Sequence, residues 1–139
     1  MPKTKKPPKT AKPDSRATFD ALKRLLTRHA ANLSVSTDKP TYYCVEVRGV
    51  EFRGKPLFFG GVREGKNYVR FHLMPVYACP ELLRSLSPAL KKRMQGKACF
   101  NFTVPDPVLF RELAELTDAG LQRFTCKEWR EGMQRRYGG

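Results

Sequence analysis

Histidine is scarce in this chain, tryptophan scarcer, and acids are outnumbered: the 139 residues include two His, one Trp and 13 Asp plus Glu against 27 Lys plus Arg. With His29 and His72 as the two imidazoles, acid–base chemistry has few places to sit. The carboxylates of the body, among them Asp20, Asp38, Glu46, Glu51, Glu64 and Glu81, are scattered singly, which removes the clustered oxygen ligands that a hard cation needs. Cys44, Cys79, Cys99 and Cys126 show no CxxC spacing, so neither a zinc ribbon nor a thioredoxin-like motif is written here, and reduced thiols are the expectation. A looser grouping of His72, Cys99 and Cys44 has the chemistry for a soft metal, but spacing gives no reason to bring them to one point. No apolar run approaches the roughly 18 residues of a membrane helix, and the opening Lys and Pro residues lack the basic-then-apolar order of a secretory signal. These absences describe a cytoplasmic protein without membrane contact. The GxSxG elbow, the phosphate-binding GxxxxGK[ST] loop, the GxGxxG turn and the HExxH helix are missing too, so no cofactor and no metal is called for.

What is present is positive charge. Residues 1–16 hold Lys3, Lys5, Lys6, Lys9, Lys12 and Arg16 against Asp14, a net of +5, and leave +9 of the chain's +14 to the remainder. The body is therefore cationic in its own right, a balance that favours polyanionic or phosphorylated partners and says nothing about fold. Residues 1–14 interleave Pro with Lys and offer no large apolar side chain to offset the entropy of ordering, so they are expected to form a disordered arm. Lys3, Lys5, Lys6, Lys9 and Lys12 could contact phosphates there without reading bases, or could simply aid solubility. No helix-turn-helix, zinc-finger or RNP-like pattern appears, so nucleic-acid binding of this kind is sequence-independent.

From Ser15 the pattern changes. Phe19, Leu22, Leu26 and Leu33 recur at helical spacing and predict an amphipathic helix over 16–32, with His29 on its apolar side, closed by turn-forming residues from Asn32 to Pro40. Three antiparallel strands follow at 41–48, 57–62 and 67–74, joined by turns at Arg53–Pro56 and Arg63–Lys66. Gly60 and Gly61 within the second of these mark a bulge or a close backbone approach. After an irregular crossover at Pro75–Pro80, Ser87-Pro88 reads as cap and first turn of a short helix bearing Leu90 and Met94 and stopped by Gly96. Residues 98–104 make a fourth strand, and Asp106-Pro107 opens a helix through Leu109, Phe110, Leu113, Leu116 and Leu121, with Gly120 a point for a kink. The order α-β-β-β-α-β-α gives an α+β fold: a two-layer sandwich with a mainly antiparallel sheet of about four strands and helices at both ends, spanning 15–126, with a basic extension at 127–139.

Alternation divides the third strand into Val69, Phe71 and Leu73 against Tyr68, Arg70, His72 and Met74. It divides the fourth into Phe100, Phe102 and Val104 against Cys99, Asn101 and Thr103. If the two strands are neighbours, Arg70, His72, Cys99 and Asn101 share one polar face, with Tyr77, Lys92 and Lys97 at its rim and Tyr77 or Phe59 as a flat wall. The same residues also fit a bland reading, in which His72 bonds a carbonyl, Cys99 fills space and the lysines are solvated or cap a helix. Catalysis, if built here, would use His72 with Lys97 or Cys99.

Tyr68-Val69, the run from Phe71 to Tyr77, Ser87-Pro88, Lys92, Met94, Gly96-Lys97 and Cys99-Phe100-Asn101-Phe102 together resemble the core of the YdhG-like family of bacterial domains of unknown function, more loosely from Phe19 to Phe124. The resemblance implies a small intracellular α+β domain and no particular reaction. One branch of that family is likened to frataxin-type iron chaperones, which carry acidic clusters on the first helix; here Asp20 is accompanied by Lys23, Arg24 and Arg28, a surface that repels ferrous ions. The expected function is non-enzymatic binding of a small ligand or protein partner through the polar sheet face, with a nucleic-acid-associated accessory role as the alternative.

Overall fold

A computed structural model describes residues 15–128 and 131–132. Helix α1 (Ser15–Thr27) exists because Phe19, Leu22, Leu25 and Leu26 fall on one side, and all four are buried. It ends five residues earlier than periodicity suggests. Residues 28–32 turn instead, with the Asn32 and Leu33 amides donating to the His29 carbonyl. That reversal places His29 beside helix α4 (Pro107–Thr125), where Nε2 lies 2.7 Å from an Asp118 carboxylate oxygen, so His29 is half-buried and partnered outside the helix.

The stretch from Asn32 to Pro40, expected to be turn, forms strand β1 (Leu33–Lys39). Its Ser, Thr, Asp and Lys residues are poor evidence for a strand in isolation, but β1 is an edge, wet along most of its length, where polar residues are tolerated and charge discourages further pairing. Strand β2 (Tyr42–Phe52) and strand β3 (Lys55–Glu64) form a long hairpin whose turn, Arg53-Gly54, has φ of 56° and 78°, both in the left-handed region that a tight primed turn demands. Strand β4 (Val69–Leu73) runs into helix α2 (Met74–Ala78) where irregular chain was expected, and a 3-10 turn follows at Pro80–Leu83.

Helix α3 (Pro88–Lys91) starts as read from the sequence: the Ser87 hydroxyl accepts from the Leu90 amide at 3.2 Å. It is a single turn. Met94 belongs to a two-residue strand β5 (Met94–Gln95), and Gly96 (φ 75°) sits in the turn to strand β6 (Cys99–Phe102) instead of closing the helix. Val104 lies past the strand end and is exposed, so it does not share the core with Phe100 and Phe102. Asp106 caps α4 through the Leu109 amide, as expected.

The result is an α+β fold with one antiparallel sheet of six strands, ordered β1-β2-β3-β4-β6-β5, where four were expected. The missed strands are the two edges. Helices α1 and α4 cover one side of the sheet, where Tyr43, Val45, Phe59, Val62, Val69, Phe71, Leu73, Phe100 and Phe102 meet Phe19, Leu22, Leu26, Leu113 and Phe124 in a continuous core. Gly120 does not kink α4; a Cβ there would come within 2.8 Å of the Pro75 ring, so its bareness lets α2 lie against the helix. Gly60 faces the same core at a register shift in the β2–β3 pair, and a Cβ on it would approach the His72 carbonyl to 2.7 Å. Bulge and close approach, offered as alternatives by the sequence, coincide.

Candidate functional site

The side of the sheet away from the helices is uncovered among the described residues. Pairing registers build it in rows. One row crosses the sheet as Thr37, Cys44, Gly61, His72, Cys99 and Gln95, and the next as Lys39, Tyr42, Arg63, Arg70 and Asn101. Strands β4 and β6 are neighbours, with Arg70 opposite Asn101 and His72 opposite Cys99, so four of the seven expected ligand-binding residues do share a face.

Arg70 and Asn101 anchor a hydrogen-bonded patch that takes in Tyr68 and Gln95. Arg70 Nε donates to Asn101 Oδ1 (3.3 Å), Arg70 Nη2 donates to the Tyr68 hydroxyl (2.8 Å), and Asn101 Nδ2 donates to Gln95 Oε1 (2.8 Å). The His72 ring meets Phe58 edge-on at 5.2 Å between centroids. Burial, then the Arg70 charge, holds the His72 imidazole below its ordinary range, while burial pushes the Cys99 thiol up against the opposing pull of Arg70. Both groups are therefore driven towards neutrality, the opposite of the thiolate–imidazolium pair that nucleophilic chemistry uses.

Lys97 is exposed in the β5–β6 turn, two residues from Cys99, and forms part of the rim. Tyr77 on α2 and Lys92 just past α3 are exposed on the helical segments, and no hydrogen bond, ion pair or ring contact ties either to the patch. Phe59 is fully buried on the helix side and cannot act as a wall for a ligand. Cys44 shares a row with His72 and Cys99, but β3 runs between it and them; among the described residues no three His, Cys, Asp or Glu side chains gather to hold a metal. Lys3, Lys5, Lys6, Lys9 and Lys12 lie outside the described residues, as do Trp129 and most of the basic extension.

Sequence reasoning missed the other half of the face. Lys39, Tyr42, Phe58 and Arg63 belong to it because β1 exists and because the β2–β3 hairpin sets Tyr42 opposite Arg63. The alternation of residues 41–48 already separates Tyr42 from buried Tyr43, and pairing outwards from the Arg53-Gly54 turn would have been the signal for Arg63. The Arg63 guanidinium rests over the Tyr42 ring at 4.4 Å, and the Arg70 guanidinium lies 5.4 Å from the Tyr68 ring. A hydrogen bond with Cys44 is the first cause of the raised Tyr42 phenol pKa. The Cys44 thiol spreads over Gly61, where an added Cβ would come to 2.9 Å from Sγ.

Arg63 and Arg70 stand directly opposite each other, and like charges in that relation oppose strand pairing. Neither forms an ion pair among the described residues, nor does Lys39 in the same row. Arg63 leans towards β2 and Arg70 towards β6, so the two heads part over the row. Glu46, a carboxylate on β2 paired with Phe58, is four residues from Tyr42, about 13 Å away. Glu64 points the other way and accepts from the Ser15 hydroxyl.

Two clefts occur elsewhere. One, of about 560 Å³, lies between the 81–86 segment and α4 with Leu82, Leu86 and Leu116 in its wall; the other, of about 410 Å³, lies between α1 and the β1–β2 turn. The second reaches the end of the Arg70 row at Lys39; neither is lined by another residue of the His72 or Arg70 rows. Among the described residues no helix is long and apolar enough to cross a membrane. The chain matches no known protein family, curated protein or solved structure.

Proposed function

We propose that this protein is a non-enzymatic binding module of the YdhG-like kind, which engages an anionic macromolecule through the uncovered face of its sheet. The observation that carries this reading is the Lys39–Tyr42–Arg63–Arg70–Asn101 row, in which two arginines face each other with no carboxylate between them. Like charges so paired oppose folding, and because the heads part towards β2 and β6, an extended polyanion relieves them by giving each its own anionic group. Tyr42, Arg63, Arg70 and Asn101 lie outside the walls of both clefts, which favours an extended partner over an enclosed small ligand. His72 and Cys99, in the neighbouring row, are both driven towards their neutral forms and add polarity without charge to the face.

Charge reversal tests the reading. Arg63→Glu with Arg70→Glu should abolish calorimetric binding of the full chain to a sulfated polysaccharide. Lys91→Glu with Lys92→Glu, the same change in net charge away from the sheet, should weaken it only as much as the long-range field requires. Equal losses from both pairs would reduce the face to one more portion of a basic surface.

A further inference from the structure

We propose that the partner of this face is single-stranded nucleic acid, its phosphates taken by Arg63, Arg70 and Lys39 and its bases stacked on the Tyr42–Phe58 side of the same face. The inference rests on the reading of the face as a polyanion surface and adds what the rings contribute. Tyr42 and Phe58 are both half-buried on the uncovered side, Tyr42 within the cationic row itself and Phe58 five residues along β3 from Arg63, about 16 Å, a span of a few nucleotides. Phe58 packs against His72 in a T-shaped contact, which restrains a half-exposed ring on this face. The Arg63 guanidinium sits over the Tyr42 ring at 4.4 Å, which places a cation and a planar group together at one point of the face, the pairing that a stacked base and its phosphate call for. The Tyr42 and Phe58 rings set beside Lys39, Arg63 and Arg70 on one face suit a chain that is itself planar rings alternating with phosphates. A duplex seals its bases away from such rings, and a sulfated polysaccharide has none.

Fluorescence anisotropy on the full chain separates the possibilities, using a labelled oligothymidylate of about twelve nucleotides, a duplex of equal length and size-matched heparin at two salt concentrations. The single strand should bind about tenfold more tightly than the duplex. Tyr42→Leu with Phe58→Leu should weaken oligothymidylate about tenfold while leaving heparin affinity and the salt slope unchanged. Arg63→Ala with Arg70→Ala should weaken oligothymidylate and heparin together and flatten the single-strand log–log salt slope by about 1.4. Thermal melting checks that each variant folds. Should the ring variant melt early, Tyr42 and Phe58 ring-proton shifts in the unaltered protein, moved by oligothymidylate and not by heparin, serve in its place. If the rings prove indifferent while the arginines matter for every polyanion, the nucleic-acid assignment is wrong and the polyanion surface stands. If the arginine variant binds all three probes like the unaltered chain, the surface itself is wrong and this inference goes with it.

Discussion

At the scale of single residues, three positions do more than their size suggests. Gly60 pairs with Leu73 of β4, and because the obstacle to a Cβ is the His72 carbonyl, nothing flexible can yield. Gly60→Ala should cost about 2 kcal/mol or more in urea unfolding. Gly120→Ala should also destabilise, by about 1 kcal/mol, because contact with Pro75 outweighs the roughly 1 kcal/mol gained in helix propensity. His72 sets a pH dependence. Its folded-state pKa is depressed below 6.5 by burial and by Arg70, so the unfolded chain binds a proton that the native chain refuses. Stability contributed by the neutral imidazole is complete above that value and is lost as pH falls through it. Urea midpoints should therefore drop more between about pH 7.5 and about pH 5.5 for the native sequence than for His72→Gln, and parallel profiles would contradict the assigned burial effect.

At the scale of elements, what the sequence makes legible follows how strongly each segment's own chemistry agrees with its surroundings. Helix α4 carries its start in Asp106-Pro107 and its buried face in Leu109, Phe110, Leu113, Leu116 and Leu121, and both were readable. Strands β4 and β6 alternate cleanly, so their inward and outward faces were readable as well, and with them Arg70, His72, Cys99 and Asn101. Strands β1 and β5 were not, because edge pairing is decided by a partner distant in sequence and β5 has only two residues. With β1 hidden, the half of the candidate surface containing Lys39 was hidden too. Edge strands should also open first: backbone amides of β1 should exchange with deuterium earlier than those of β3, β4 and β6. The cap of α3 is a further local test. Ser87 donates through both its amide (2.6 Å) and its hydroxyl (2.7 Å) to Glu112 on α4 while accepting from Leu90, so Ser87→Ala should cost about 1–2 kcal/mol and be felt in both helices.

At the scale of the whole molecule, the sheet has two unlike sides. One is sealed by α1 and α4 over a core of Phe, Leu and Val; the other is a flat field of arginine, aromatic and amide groups. Of the 27 Lys and Arg residues, Lys39, Arg63 and Arg70 stand together in one row across the uncovered side. Charge counting alone, which shows +14, identifies neither the side nor the residues. The most direct measurement is amide chemical-shift mapping on the isotope-labelled full chain during titration with a short heparin fragment. Shifts should concentrate at Lys39, Tyr42, Arg63, Arg70 and Asn101. Shifts confined to the outward sides of α1 and α4, or to residues 1–14, with that row unmoved, would place the binding surface somewhere else.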